Sequence, residues 1–174
     1  ILEPGDEVIL PCPSFVCYEP IATMLGAKVV KINTKAENKF KLTREELKNA
    51  ITPKTKLLVL PFPNNPTGAI LTRSELEELA EVLRDTNIAI LSDEIYAELT
   101  YGRKHVSIAE IDGMRERTII ASGFSKAYAM TGWRMGYICA PATLAKQMLK
   151  IHQFAIMCAP TVSQFAAVEA LRNG

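Results

Sequence analysis

The chain has 174 residues, of which 48% are hydrophobic and 22% charged, and carries a formal net charge of +1. That length encloses one sizeable core and is too short for two comfortable domains. Interspersed charges leave no electrostatic footprint for nucleic acid, and no apolar run is long enough to cross a bilayer, so small molecules are the expected partners.

The first β-rich run is Glu7 to Leu10, followed by the segment Pro13-Ser14-Phe15-Val16-Cys17-Tyr18 and a second run at Lys28 to Ile32. Thr43 and Glu46 then form a T-x-x-E capping box, with Leu42 and Leu47 placed to staple a short helix. A strand at Leu57 to Leu60 precedes the clearest helix, Thr72 to Arg84. There Leu76, Leu79, Ala80 and Leu83 keep one apolar face, and Thr72 and Glu75 repeat the capping box. Further strands read at Ile88 to Leu91, Thr118 to Ala121 and Gly136 to Cys139. Leu144, Met148 and Ile151 predict one more helix, and Val162, Phe165 and Ala166 another after Pro160.

Alternating strands and helices predict an α/β fold. The strands are nearly all apolar rather than alternating, which predicts a mainly parallel, mixed sheet flanked by helices on both faces. Cys12, Cys17, Cys139 and Cys158 show no C-x-x-C pair or disulfide framework, and only His105 and His152 could join them at a metal. Reduced thiols in a cytoplasm, with no metal, are expected. Nothing at the start resembles an export signal. Leu2 to Asp6 reads as a helix exit and Arg172 to Gly174 as a helix just finishing, so a piece of a longer protein is expected.

In such a sheet, ligands collect beyond the carboxyl ends of the strands. Three exits stand out: Pro61-Phe62-Pro63-Asn64-Asn65-Pro66-Thr67-Gly68, Ser92-Asp93-Glu94-Ile95-Tyr96, and Ser122-Gly123-Phe124-Ser125-Lys126. Singly, each has an ordinary explanation as a turn, an N-cap or a solvated lysine. Together they bring amide, carboxylate, phenol and amine groups to one sheet edge, which suits a flat, anionic, nitrogen-containing cofactor.

The run Ser125-Lys126-Ala127-Tyr128-Ala129-Met130-Thr131-Gly132-Trp133-Arg134-Met135-Gly136 resembles the S-K-x-x-x-M-T-G-W-R-x-G pattern of the class I and II aminotransferases, fold-type I pyridoxal-phosphate (PLP) enzymes. The order and spacing of Asn65-Pro66-Thr67-Gly68 and Asp93-Glu94-Ile95-Tyr96 fit the same family. The resemblance covers essentially the whole chain and implies the large cofactor-binding domain, residues 1–174, without its N-terminal segment and C-terminal small domain.

The resemblance implies a set of roles. Lys126 is the Schiff-base lysine, kept reactive by partial desolvation and the nearby Arg134, and later the base that moves the substrate α-proton. Asp93 faces the pyridine nitrogen. Tyr96 and Asn65 donate to the ring oxygen, although Tyr96 could also be a core residue with a satisfied hydroxyl. Arg134 and Ser125 hold the phosphate. Ser122 is a weaker phosphate candidate, since the family often has a hydroxyl where this chain has Gly123. Phe15 stacks on the ring, although its pattern suits a core phenylalanine nearly as well, and Tyr18 approaches the Asp93 side. Cis peptides are expected at Asn65-Pro66 and Cys12-Pro13.

The implied activity moves an amino group between an α-amino acid and a 2-oxo acid, with aspartate or aromatic amino acids as possible substrates and a homodimer as the expected assembly. Weak binding of the cofactor is expected of the piece by itself. Two rivals stand beside this activity: a carbon-sulfur lyase, which would use the same Lys126, Asp93 and Arg134, and a non-catalytic PLP-sensing domain of a transcription regulator.

Overall fold

The computed structural model describes residues 1–174. Six strands form one sheet: β1 (Glu7–Cys12), β2 (Lys28–Asn33), β3 (Thr55–Leu60), β4 (Ala89–Asp93), β5 (Thr118–Gly123) and β6 (Gly136–Cys139). Their order is β2-β1-β3-β4-β5-β6. All neighbouring pairs are parallel except β5 and β6, which are antiparallel. Five α-helices accompany them: α1 (Tyr18–Met24), α2 (Arg44–Ala50), α3 (Arg73–Leu83), α4 (Ala142–Ala155) and α5 (Thr161–Asn173).

Successive strand residues point to opposite faces, and the buried residues divide accordingly. Ile9, Leu58, Leu60 and Ile90 join Leu47 of α2 and Leu76, Leu79 and Leu83 of α3 in the larger core. Val8, Leu10 and Val59 face the other way and pack with Ala22 of α1 and Ala27. Two-sided burial explains why β1 and β3 lack polar alternation.

Both capping boxes form. Thr43 and Thr72 each accept from the backbone N–H three residues on, and the Glu46 and Glu75 carboxylates accept in return from the Thr43 and Thr72 backbone N–H groups. Leu42, Leu47, Leu71 and Leu76 all lie in the larger core, where the staples place them.

Three features depart from the expected pattern. Helix α1 has no predicted counterpart: its N-cap, Cys17, makes no side-chain capping bond, and Pro20 stands in its first turn, where a missing N–H costs nothing. Strand β6, at the sheet edge, is exposed at every residue instead of covered. Cis peptides occur at Cys12-Pro13 and Asn65-Pro66, as expected, and also at Phe62-Pro63.

At the amino end of the sheet, Glu7 is 5% exposed and ties β1 to its neighbours. Its carboxylate accepts from Lys28 Nζ at 3.0 Å and Thr52 Oγ1 at 2.6 Å. The opposite, carboxyl end carries the cavity described next.

Candidate active site

The carboxyl ends of β3, β4 and β5 open into a cavity of about 350 Å³, closed on one side by Phe15 and Tyr18 from the β1 exit. Pro61, Pro63, Asn65, Asp93, Ile95, Tyr96, Ala121, Ser122, Ser125, Lys126, Thr131 and Arg134 complete its lining. All seven candidates of the sequence, Phe15, Asn65, Asp93, Tyr96, Ser125, Lys126 and Arg134, therefore share one space. Its size suits a small cofactor.

Asp93 is the last residue of β4, so the end of sheet pairing delivers its side chain to the cavity. One carboxylate oxygen accepts from Ile95 N–H at 3.2 Å, and the other accepts from the Tyr18 hydroxyl at 2.5 Å. Burial, reinforced by the Asp93 carboxylate, pushes the Tyr18 phenol far above its ordinary range, so it stays a donor. The Tyr18 approach to Asp93 expected from the sequence is thus a direct bond.

Asn65 owes its place to Asn64, which the sequence did not single out. Buried Asn64 accepts through Oδ1 from Thr67 N–H at 3.2 Å and Thr67 Oγ1 at 2.9 Å, folding the loop that presents Asn65.

Lys126 and Arg134 both lie between β5 and β6. The chain turns around the Phe124 carbonyl, which accepts from Tyr128 N–H at 3.3 Å and Met130 N–H at 3.2 Å. Phe124 and Met130 are buried against Ala167 of α5, so the loop that carries the lysine has its own small core. Lys126 Nζ lies 5.7 Å from the centroid of the Tyr96 ring, within reach of a cation–π contact.

Arg134 adopts a left-handed backbone, with φ 54° and ψ 43°. For a residue with a side chain this costs about 1 kcal/mol or more, and such strain persists where a particular direction is required. Its guanidinium donates to the Thr131 carbonyl at 2.9 Å and still borders the cavity.

Gly123 explains a departure from the family pattern. A Cβ there would lie 2.8 Å from Gly136 Cα and 2.9 Å from the Met135 carbonyl, so β5 and β6 meet too closely for any side chain. Neighbouring Ser122 reaches the cavity wall, but its hydroxyl donates to the Glu94 carbonyl at 3.3 Å.

The donor set fits a flat anionic pyridine. An anion braced by a phenol lies at the β4 exit, an amine and a guanidinium lie on the β5–β6 loop, and an aromatic ring forms one wall. No buried side-chain nitrogen or oxygen is left without a partner.

The model of class I and II aminotransferases matches residues 1–174. The chain belongs to the class I and II aminotransferase family. Members of that family generally depend on PLP. A Bacillus subtilis relative, named only as an aminotransferase, is 49% identical across the whole chain, which covers 45% of that protein. The aspartate aminotransferase of Pyrococcus abyssi is 44% identical over 99% of the chain and 44% of its own length. The crystal structure of an aromatic aminotransferase from Pyrococcus horikoshii superposes with a TM-score of 0.96 at 42% identity, over 99% of this chain and 47% of that one. The chain thus spans less than half the length of these aminotransferases. No helix is long and apolar enough to cross a membrane.

Proposed function

We propose that the protein is a PLP-dependent aminotransferase that moves an amino group from an α-amino acid to a 2-oxo acid, with this chain holding the cofactor. The observation that carries the reading is the gathering of Lys126, Asp93 and Arg134 around one cavity. Bound there, PLP would supply an aldehyde and an electron-accepting ring.

Each residue then has a task suited to its chemistry. The Lys126 amine would hold the cofactor's aldehyde covalently, with loss of water, and, when a substrate amine frees it, would accept and move the α-proton at Nζ. Asp93, braced by Tyr18 and Ile95, would supply the negative charge that keeps the ring nitrogen protonated. Arg134 offers a planar, always-charged fork to the phosphate, with the Ser125 hydroxyl beside it. Asn65 and Tyr96 would donate to the ring oxygen, and Phe15 would cover one face of the ring.

The names of the relatives support an α-amino acid and a 2-oxo acid as substrates, with aspartate and aromatic side chains both represented. We further propose a homodimer in the full-length protein.

The test is borohydride reduction of the full-length protein loaded with PLP, followed by peptide mapping and an assay of amine transfer. We expect the label on Lys126 and its absence from the Lys126→Ala variant. A label on another lysine overturns the assignment, and sulfide release without amine transfer would make the protein a lyase.

A further inference from the structure

Glu94 follows Asp93 directly and is 7% exposed, yet neither it nor the side chains that meet its carboxylate line the cofactor cavity. Its Oε1 accepts from Ser92 Oγ at 2.9 Å and from Ser107 Oγ at 2.6 Å, and its Oε2 lies 3.0 Å from His105 Nε2. The backbone of residue 94 is equally committed. Its N–H donates to the Ala121 carbonyl of β5 at 2.8 Å, and its carbonyl accepts from Ala97 N–H at 2.9 Å and from Ser122 Oγ at 3.3 Å.

A carboxylate is unfavourable to bury unless donors meet its oxygens. Here three donors do so, one from β4 and two from the loop at residues 105–107. Burial pushes the Glu94 carboxyl up, but the bonds from His105, Ser107 and Ser92 outweigh it and hold the group below the ordinary carboxylate range. An apolar side chain would fill the same volume without this cost, so direction rather than bulk is what the carboxylate supplies.

On the PLP reading above, we propose that Glu94, clamped by His105 and Ser107, is a positioning residue that fixes the β4 exit so that Asp93 and Tyr96 face the cofactor ring together. The turn that carries Tyr96 closes on the Glu94 carbonyl, and the aim of Asp93 depends on the Ile95 N–H at the next peptide. Releasing the Glu94 side chain leaves that peptide held only by its bonds to Asp93, Ala97 and Ser122, so that it loosens. That loosening then misdirects two cavity groups at once, although neither is altered.

The test uses the full-length holoenzyme with PLP. Glu94→Gln keeps the shape and removes the charge. We expect the PLP dissociation constant to rise and kcat to fall by about tenfold each, as small misplacements of reacting groups do. The substrate KM should stay within about twofold, because the substrate is not the group displaced. The pH midpoint of the lysine-bound cofactor's visible absorbance should also shift. His105→Gln should give a milder form of the same signature, and it keeps the test decisive if Glu94→Gln does not fold. The double variant should be no worse than Glu94→Gln alone, since both act through one clamp.

Glu7→Gln removes the other buried carboxylate, at the far end of the sheet. It should lower the melting temperature and leave cofactor affinity and absorbance unchanged. Wild-type affinity, absorbance and kcat in the residue 94 and 105 variants would overturn this inference alone. A wild-type protein that forms no covalent lysine link with PLP would overturn it together with the proposed function.

Discussion

Tyr18 and Asp93 come from strand exits far apart in sequence, yet their bond is the shortest polar contact at the site. A hydrogen bond to a charged acceptor contributes about 1.5 kcal/mol or more, which corresponds to roughly tenfold in rate when it supports the reacting geometry. Tyr18→Phe in the full-length enzyme is therefore expected to lower kcat about tenfold, as measured by steady-state transamination; an unchanged kcat would show that Asp93 needs no phenol beside it. Asp93 and Lys126 were legible because each sits in a short local pattern after an apolar run, and Arg134 through the resemblance of the Ser125 to Gly136 segment to the family pattern. The partners that orient them were harder to see. Asn64 is masked by its neighbour Asn65, and Glu94 depends on His105 and Ser107, whose approach is a tertiary event with no sequence spacing to announce it.

Helix α3 shows what local sequence can specify. Thr72 N–H and Oγ1 donate to the Glu75 carboxylate at 2.7 and 2.8 Å, and Lys41 Nζ pairs with the same carboxylate at 2.6 Å. Partial burial pushes the Glu75 carboxyl up, but these bonds prevail and hold it below its usual value of 4.5. A depressed carboxylate stabilises the fold above the unfolded-state value and loses that contribution as pH falls through the folded one. Thr72→Ala should cost about 1 kcal/mol at neutral pH, or roughly 2–4 °C in melting temperature. The gap should narrow on acidification below about pH 4.5, as Glu75 protonates. It should not vanish, because Thr72 Oγ1 still accepts from Glu75 N–H at 3.4 Å. Thermal melts across that range check both the size and the direction. Helix α1 is the counter-example. Its Cys17 supplies no cap, Glu19 and Pro20 in the first turn are its only start signals, and it forms because Ala22 and Tyr18 have a sheet face to cover. The strand ends follow the same logic: Pro11 and Cys12 extend β1 through pairing with Ile32 and Asn33, beyond what their own propensities suggest.

Across the molecule, the parallel sheet and its two covered faces were readable from unbroken apolar runs, whereas the surface of the last third was not. Phe154 is 93% exposed, Met157 76% and Phe165 73%, and Ile151 and Ile156 join them along α4, its exit and α5. Soluble monomers rarely present so much large apolar surface in one region. Expressed alone, this 174-residue chain should self-associate at micromolar concentrations, and Phe154→Lys with Phe165→Lys should shift it toward monomer in sedimentation velocity. A monodisperse unmodified monomer would contradict the expectation.

The pinch where Gly123 meets Gly136 has one more consequence. Amine and guanidinium ride on a single excursion of chain that leaves and re-enters the sheet at that pinch, so their separation is set locally. The carboxylate of Asp93 belongs to a different strand, aligned with Ala121 by the ladder between β4 and β5. A slip of that ladder by one residue would turn Asp93 to the opposite side of the sheet and leave the excursion intact. Such a protein could still capture an aldehyde on its lysine while lacking the counter-charge that makes the captured ring an electron sink.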